Sequence, residues 1–330
     1  MTRALVARAP TRLDFGGGWT DVPPYCDREG GAVCNIAITR YATATVATSG
    51  HVACAGPSST DDNRLISAAR RRSSFPNAEA RLANDFPMGA GLGGSSAAGV
   101  ALAGAFAELA GSSLTPHALA SLSRETEVDE LGMAGGYQDH YAAAFGGALL
   151  LTFVNQRVGV EQIAVSDGFR AALARRSVLI YTGESRISGD TIIAVRDAYL
   201  RGERRVVNAL ARMKTLAGEM AAALRADNLD ALATLVGEHW THQRALHSAI
   251  PTSRIDAIIN AATQSGALGA KALGASGGGC VLAIAEDGRE DELARSLAPL
   301  GERLAFTVDT KGFDVLDVLE GQLGVSTGIE

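Results

Sequence analysis

Apolar and polar positions alternate in short segments at the start of the chain. "GGAVCNIAI" and "YATATVAT" are rich in β-branched residues and bounded by turn or polar positions, and "HVACAG" and "EARLANDF" repeat the pattern more weakly. These predict an antiparallel sheet. From about Ser95 the pattern turns helical. "SSAAGVALAGAFAELAG" is small or apolar over several turns and stops at Gly111, and "TPHALASLSRETEVDELG" begins with Thr115 as N-cap and Pro116 at the first helical position. Two helices packed on the sheet are expected. "GGALLLTFVNQRVGVEQIAV" reads as a β-hairpin and "RRSVLIYTG" as a buried strand. Ala- and Leu-rich helices then span roughly residues 188 to 266. In the tail, "GALGAKALGASGGGCVLAIAE" predicts a strand pair around a Gly-rich turn, "REDELARSLAPLG" a helix and "ERLAFTVDT" a last strand. No solenoid period appears.

At 330 residues, 47% of them hydrophobic and 20% charged, the chain can bury a sizeable core, and two lobes are expected. A boundary near residues 170 to 185 divides it into 1–175 and 176–330. The net charge of −6 and the lack of a basic tract argue against nucleic acid and anionic membranes as partners, though not against a small anion held by local donors. No run is apolar enough to cross a bilayer, and the start lacks the pattern of a secretory signal, so a cytoplasmic protein is expected. Oligomeric state is not legible. Cys26, Cys34, Cys54 and Cys280 are too scattered for zinc spacing and read as free thiols.

"PMGAGLGGSSAAG" (87–99) sits between a predicted strand and a long helix. A helix start exposes unpaired N–H groups at the positive end of its dipole, and glycines let backbone amides approach a phosphate. On its own the stretch is equally a tight turn with an ordinary N-cap. It lacks the Lys-Ser/Thr of a P-loop and the long parallel strand of a dinucleotide fingerprint. Two further glycine segments change the balance: "PTRLDFGGGWTDVPPY" (10–25), with Arg12 and Asp14 on a strand, and "KALGASGGGC" (271–280).

Together, in this order and spacing, the three segments resemble the motifs of the GHMP kinases, from about Arg8 to Asp287. The resemblance implies an α+β, two-lobed fold, with an N-terminal ribosomal-protein-S5-domain-2-like lobe and a C-terminal ferredoxin-like α/β lobe. "GGWTDVPPYCDREGGAVCNIAI" is similar to the sugar 1-kinases of the family, its Trp leaning toward fucokinases. "GGYQDHYAAAFGGALLL" and "YTGESRISGD" lean toward kinases of D-glycero-D-manno-heptose 7-phosphate. Two departures stand out: Gly94, where relatives often have Ser, and His140 in "QDH", where "QDQ" is more frequent.

The resemblance implies ATP and Mg²⁺ as cofactors and a sugar or sugar phosphate as the small-molecule partner, phosphorylated at its anomeric hydroxyl. It makes Asp139 the catalytic carboxylate, which accepts or orients the hydroxyl proton, and Arg12 the cation beside it. The other reading of Asp139 is a loop carboxylate bonded to backbone amides, and that of Arg12 a structural ion pair, with Asp14 as one partner. Gly89, Ala90, Gly91, Leu92, Gly93, Gly94, Ser95 and Ser96 form the implied phosphate loop. Ser95 and Glu127 are the implied Mg²⁺ ligands, since a hard cation takes oxygen donors and keeps several waters. Glu125, Asp129 and Glu130 are its acidic neighbours on the same predicted helix.

For substrate binding the resemblance points to Asp21, with Gly18, Trp19, Thr20 and Gly136 around it. Trp19 is equally a packing residue between lobes. Arg186 is a candidate cation for a distal phosphate. The third-motif glycines, Gly274 and Gly277 to Gly279, bring a turn of the second lobe against nucleotide and substrate. His239, His242 and His247 lack the HExxH order and read as surface or substrate-contacting residues rather than metal ligands. Two other classes remain: a catalytically silent metabolite sensor of the same fold, which has no chemical need for Arg12, Ser95, Glu127 and Asp139 together, and a Rossmann-type oxidoreductase, which needs a second parallel strand where this chain predicts helix.

Overall fold

The computed structural model describes residues 3–48, 60–133, 135–155, 157–184 and 189–320. The first lobe runs through β1 (Arg3–Gly16), α1 (Tyr25–Glu29), β2 (Gly31–Ala47), α2 (Thr60–Arg71), β3 (Glu79–Asn84), α3 (Gly94–Leu109), α4 (Pro116–Arg124), α5 (Gln138–Phe145), β4 (Ala148–Val154) and β5 (Arg157–Ile163). The second contains α6 (Asp167–Arg176), β6 (Ser177–Tyr181), α7 (Gly189–Leu200), α8 (Arg204–Arg225), α9 (Leu229–Arg244), α10 (Ser253–Gln264), β7 (Ala267–Ala272), β8 (Cys280–Ala285), α11 (Glu290–Leu297) and β9 (Glu302–Arg303). The last described strand is β10 (Asp314–Glu320).

Two antiparallel sheets result. The first has the order β10-β1-β2-β4-β5, with β3 pairing β2, and the second the order β7-β8-β6-β9. The tail departs from the expected division at 175/176. "ERLAFTVDT" forms only the short β9, after which Thr39 and Thr307 exchange hydrogen bonds and β10 pairs with the free edge of β1, so the chain ends on the first lobe's sheet. An open strand edge leaves N–H and C=O groups unpaired, and β10 covers it. "HVACAG" and Cys54 lie outside the described residues; Cys26, Cys34 and Cys280 are free and buried.

Helix α3 is apolar on every side, and residues 96 to 106 are all buried, as expected of a helix at the centre of a lobe. It packs on the first sheet in a cluster with Leu5, Ala7, Ala9, Val46 and Leu151. A second cluster joins the opposite face of that sheet, through Leu13, Phe15 and Ile36, to α8, α9 and the second sheet. The alternation of β1 changes face between these sets. A register shift against β2 falls between Pro10 and Thr11, and a one-residue slip exchanges the two faces of a strand. Leu13 and Phe15 thereby point toward the second lobe, which leaves Arg12 and Asp14 on the site side.

Thr115 caps α4 through a bond from the Ala118 N–H (3.2 Å), as its sequence predicts. The expected continuation to residue 131 is not α-helical. Residues Glu125–Glu130 widen into a π-helical turn, and Glu127 lies within it. Such turns are rare and recur at functional sites.

Candidate active site

β1 delivers Arg12 and Asp14, both buried, to the junction of the lobes. Arg12 Nε and Nη2 reach Asp139 Oδ1 at 2.8 and 2.7 Å, and Nη1 donates to Gly91 O at 2.7 Å. One guanidinium thus ties the carboxylate in the first turn of α5 to the 87–99 loop. Asp14 takes a different partner, Lys271 of β7, and not Arg12.

The loop turns its carbonyls inward. Ala90 O accepts from Cys280 N (2.8 Å) and Leu92 O from Arg12 N (3.0 Å), whereas the amides of Gly91, Leu92 and Gly93 find no protein acceptor among the described residues. Ala90 and Leu92 anchor it in the interlobe core. Gly93, in the left-handed region (φ 76°), precedes α3 without a side-chain cap, and the first turn of α3 carries no acidic residue. A Cβ on Gly93 would stand 3.0 Å from Asp139 Cγ. The loop therefore offers unpaired amides and a helix N-terminus directly beside Asp139, an arrangement suited to an anion such as a phosphate. Gly89 sits at its exposed start. At Gly94 the space for a side chain is taken by the Phe86 ring, which accounts for glycine there.

Glu127 is largely buried, and the Ser96 hydroxyl hydrogen-bonds to it; burial pushes its carboxyl up, and the nearby hydroxyls of Ser95 and Ser96 oppose that. Ser96 Oγ lies 3.0 Å from Oε2. His140 stands behind this pair. Its Nε2 is 3.3 Å from both Ser96 Oγ and Glu127 Oε2, and its Nδ1 is 2.9 Å from Ser123 Oγ. Burial pushes His140 down to about 4, so it is neutral near pH 7 and leaves the carboxylate's charge uncompensated. A largely buried carboxylate bonded to the Ser96 hydroxyl, with that of Ser95 close by and without a cationic partner among the described residues, is a donor set that fits a hard divalent cation. No cluster of three or more His, Cys, Asp or Glu able to hold a metal occurs among the described residues.

Asp21 is buried on the other side of Asp139. Its Oδ2 accepts from the N–H groups of Tyr137 (2.8 Å) and Gln138 (3.0 Å) at the start of α5. Desolvation, with Asp139 and Asp14 nearby, raises it to about 6 despite those bonds. Gly136 abuts the Asp21 carboxylate, and Gly18 approaches Asp14 and Gln138, where side chains would collide.

Thr20 is not available to a substrate. Its buried hydroxyl donates to Gly17 O (2.7 Å), with Ala32 O also within reach (3.0 Å), and accepts from Ala32 N (3.1 Å), so it staples the turn. Trp19 is buried among Tyr25, Val195, Tyr199 and Leu210 in the interlobe core, the packing placement weighed for it above. Arg186 lies outside the described residues. The third glycine turn meets the 87–99 loop backbone to backbone, with Gly274 against Gly91 O and Gly279 against Ala90 O.

Sequence reasoning missed Lys271, His239 and Gln243. His239, read from the sequence as a surface or substrate-contacting residue, is fully buried and not on the surface, and its Nε2 accepts the Gly17 N–H (3.0 Å). His242 is the partly exposed one, 3.9 Å from Glu238. For Lys271 a signal existed: it is the single charge in the small, apolar strand "ALGAKA".

The GHMP kinases N terminal domain matches residues 63–147 and the GHMP kinases C terminal domain residues 220–300. The D-glycero-alpha-D-manno-heptose 7-phosphate kinase of Campylobacter jejuni is 27% identical over 318 residues, spanning 89% of this chain and 93% of that protein. The L-fucokinase/L-fucose-1-P guanylyltransferase of Bacteroides fragilis is 25% identical over 93% of this chain and 38% of its own. Among solved structures, a D-glycero-D-manno-heptose 1-phosphate kinase from Bacteroides thetaiotaomicron superposes with a TM-score of 0.76 at 24% identity, covering 97% of this chain and all of the other. With both domains matched in order and the fold shared along the chain, this protein belongs to the GHMP kinase family.

Proposed function

We propose that the protein transfers the γ-phosphoryl group of ATP to the anomeric hydroxyl of a sugar or sugar phosphate, releasing ADP and the sugar 1-phosphate. The observation that carries this reading is the Arg12–Asp139 pair held against the unpaired amides of the phosphate loop. Phosphoryl transfer asks the protein for in-line positioning and charge neutralisation and for little covalent work. Asp139 takes or orients the proton of the acceptor hydroxyl, and Arg12 keeps that carboxylate aimed while its charge faces the transferring group. The loop amides and the start of α3 hold the nucleotide phosphates. Ser95 and Glu127 hold Mg²⁺, which when bound neutralises phosphate charge. Asp21 accepts hydroxyls of the sugar ring.

The acceptor we favour is D-glycero-D-manno-heptose 7-phosphate, with the 1,7-bisphosphate as product; L-fucose is the alternative. The similarity to the Campylobacter jejuni heptose 7-phosphate kinase supports the first and that to the Bacteroides fragilis fucokinase the second. A distal phosphate needs a cation. Arg186 is one candidate. Arg124 is another: its guanidinium lies 3.7 Å over the ring of Tyr137, whose N–H holds Asp21, and it makes no ion pair among the described residues. ADP release with ATP, Mg²⁺ and a panel of free and phosphorylated sugars tests the proposal. Turnover on the heptose 7-phosphate, and not on fucose, is expected. ATP binding without turnover on any member would replace the kinase by a sensor.

A further inference from the structure

Residues 14 to 17, which lead into the loop carrying Asp21, are held by side chains of the opposite lobe. Lys271 Nζ, from β7, donates to Asp14 O at 2.8 Å and Phe15 O at 3.2 Å, with Asp14 Oδ2 at 3.4 Å. His239 Nε2, from α9, accepts the Gly17 N–H two residues later. Both side chains are fully buried. One helical turn beyond His239, on the same face of α9, Gln243 Nε2 donates to Gly274 O (2.9 Å) and Ser276 Oγ (2.8 Å) in the third glycine turn.

Stability alone does not explain this choice of residues. Taking an ammonium and a carboxylate out of water costs several kcal/mol per ion, and an apolar pair of similar volume often packs as well or better. His239 accepts through Nε2, so its Nδ1 carries the proton, and that atom is buried without a partner. Desolvation and the nearby Lys271 charge hold His239 neutral, well below the usual histidine range. Two costly groups are thus spent on backbone atoms of one loop. Neither makes a hydrogen bond or ion pair with Asp139 or Arg12 among the described residues, although the Arg12 charge acts on Lys271.

We propose that Lys271 and His239 are positioning residues which fix the Gly16–Asp21 segment from the second lobe, so that affinity for the acceptor sugar is set across the lobe junction while nucleotide binding is not. The proposal rests on the sugar-kinase reading for its kinetic test, and on the structure alone for its exchange test.

His239→Leu leaves the Gly17 N–H unpaired, whereas His239→Gln can present an oxygen near the position of Nε2. Lys271→Met alone strands a buried Asp14 carboxylate and risks misfolding, so the paired variant Lys271→Met/Asp14→Asn removes both charges. In His239→Leu and in the paired variant, KM for heptose 7-phosphate is expected to rise about tenfold, the cost of one unmade buried hydrogen bond, with ATP affinity by calorimetry within about twofold of the parent. His239→Gln should recover most of the loss. Hydrogen exchange should quicken in peptides covering residues 13–22 and not elsewhere. An unchanged acceptor KM in His239→Leu, or acceptor and ATP affinity falling together with exchange raised throughout, would overturn the proposal. If the parent turns over no sugar, the kinase reading fails instead, and the exchange pattern of His239→Leu still decides: faster exchange confined to 13–22 supports the brace, and any other pattern rejects it.

Discussion

Arg12 Nη2 and Asp139 Oδ1 stand 2.7 Å apart although 127 residues separate them in the chain, and the same guanidinium holds Gly91 O at 2.7 Å. The pair joins strand, helix and the 87–99 loop at one point. Asp139→Asn keeps the shape but removes the base, so kcat should fall at least 100-fold, the usual worth of a positioned acid or base, while ATP binds within about twofold of the parent. Near-normal turnover in that variant would remove Asp139 from the mechanism. Arg12→Met also leaves Gly91 O and Asp139 without their donor, and should cost stability on the order of 1–3 kcal/mol in addition to activity.

Glu127 is a carboxylate whose burial is uncompensated by any cation among the described residues, a cost that a bound divalent ion would relieve. Glu127→Gln is therefore expected to melt at the same temperature as the metal-free parent or higher. The Mg²⁺ concentration for half-maximal ADP release should rise by at least tenfold. A lower melting temperature with unchanged Mg²⁺ dependence would make Glu127 a structural residue.

Asp21 titrates at about 6 in the fold against an ordinary 3.8, so ionising it works against folding. That cost is absent below about pH 4, where the group is protonated in both states. It grows as pH rises from about 4 to about 6, where the unfolded state has ionised and the fold has not, and is constant above. Asp21→Asn, whose amide oxygen can still accept from Tyr137 and Gln138, should gain on the order of 2–3 kcal/mol at pH 7 and nothing near pH 4, as read from denaturant unfolding at the two pH values. The same variant should raise the acceptor KM. In the parent, acceptor binding should weaken below about pH 6 as the carboxylate is lost.

Gly94 faces Phe86, whose ring occupies the place of a Cβ. Gly94→Ser must displace that ring and should cost roughly 1–3 kcal/mol, as overpacking does. Adding Phe86→Ala should return part of the loss, and a double-mutant cycle measures the coupling. Additive losses would show that something other than this contact excludes a side chain.

Pattern and local chemistry were enough for much of the chain. Thr115 and Pro116 mark the start of α4 because capping is decided within four residues, and the hairpin of β4 and β5 follows from alternation and a short turn. Arg12, Asp139, the phosphate loop and Glu127 are legible as a set through their motifs, and the fold brings Arg12, Asp139 and the loop into direct contact and sets Glu127 against Ser95 and Ser96. Other features are properties of pairs distant in sequence. The π-helical turn at Glu127, the tail's return to β1 and the reason for Gly94 depend on neighbours that no local window contains. The partner of each charge is likewise a tertiary fact: Arg12 and Asp14 are two residues apart on one strand, yet one binds α5 and the other β7. Sequence determined which residues are candidates for the chemistry, because motif and spacing are written along the chain. Only the tertiary structure decided which groups are desolvated together, and desolvation is what raises Asp21, neutralises His140 and His239, and makes Lys271 a brace.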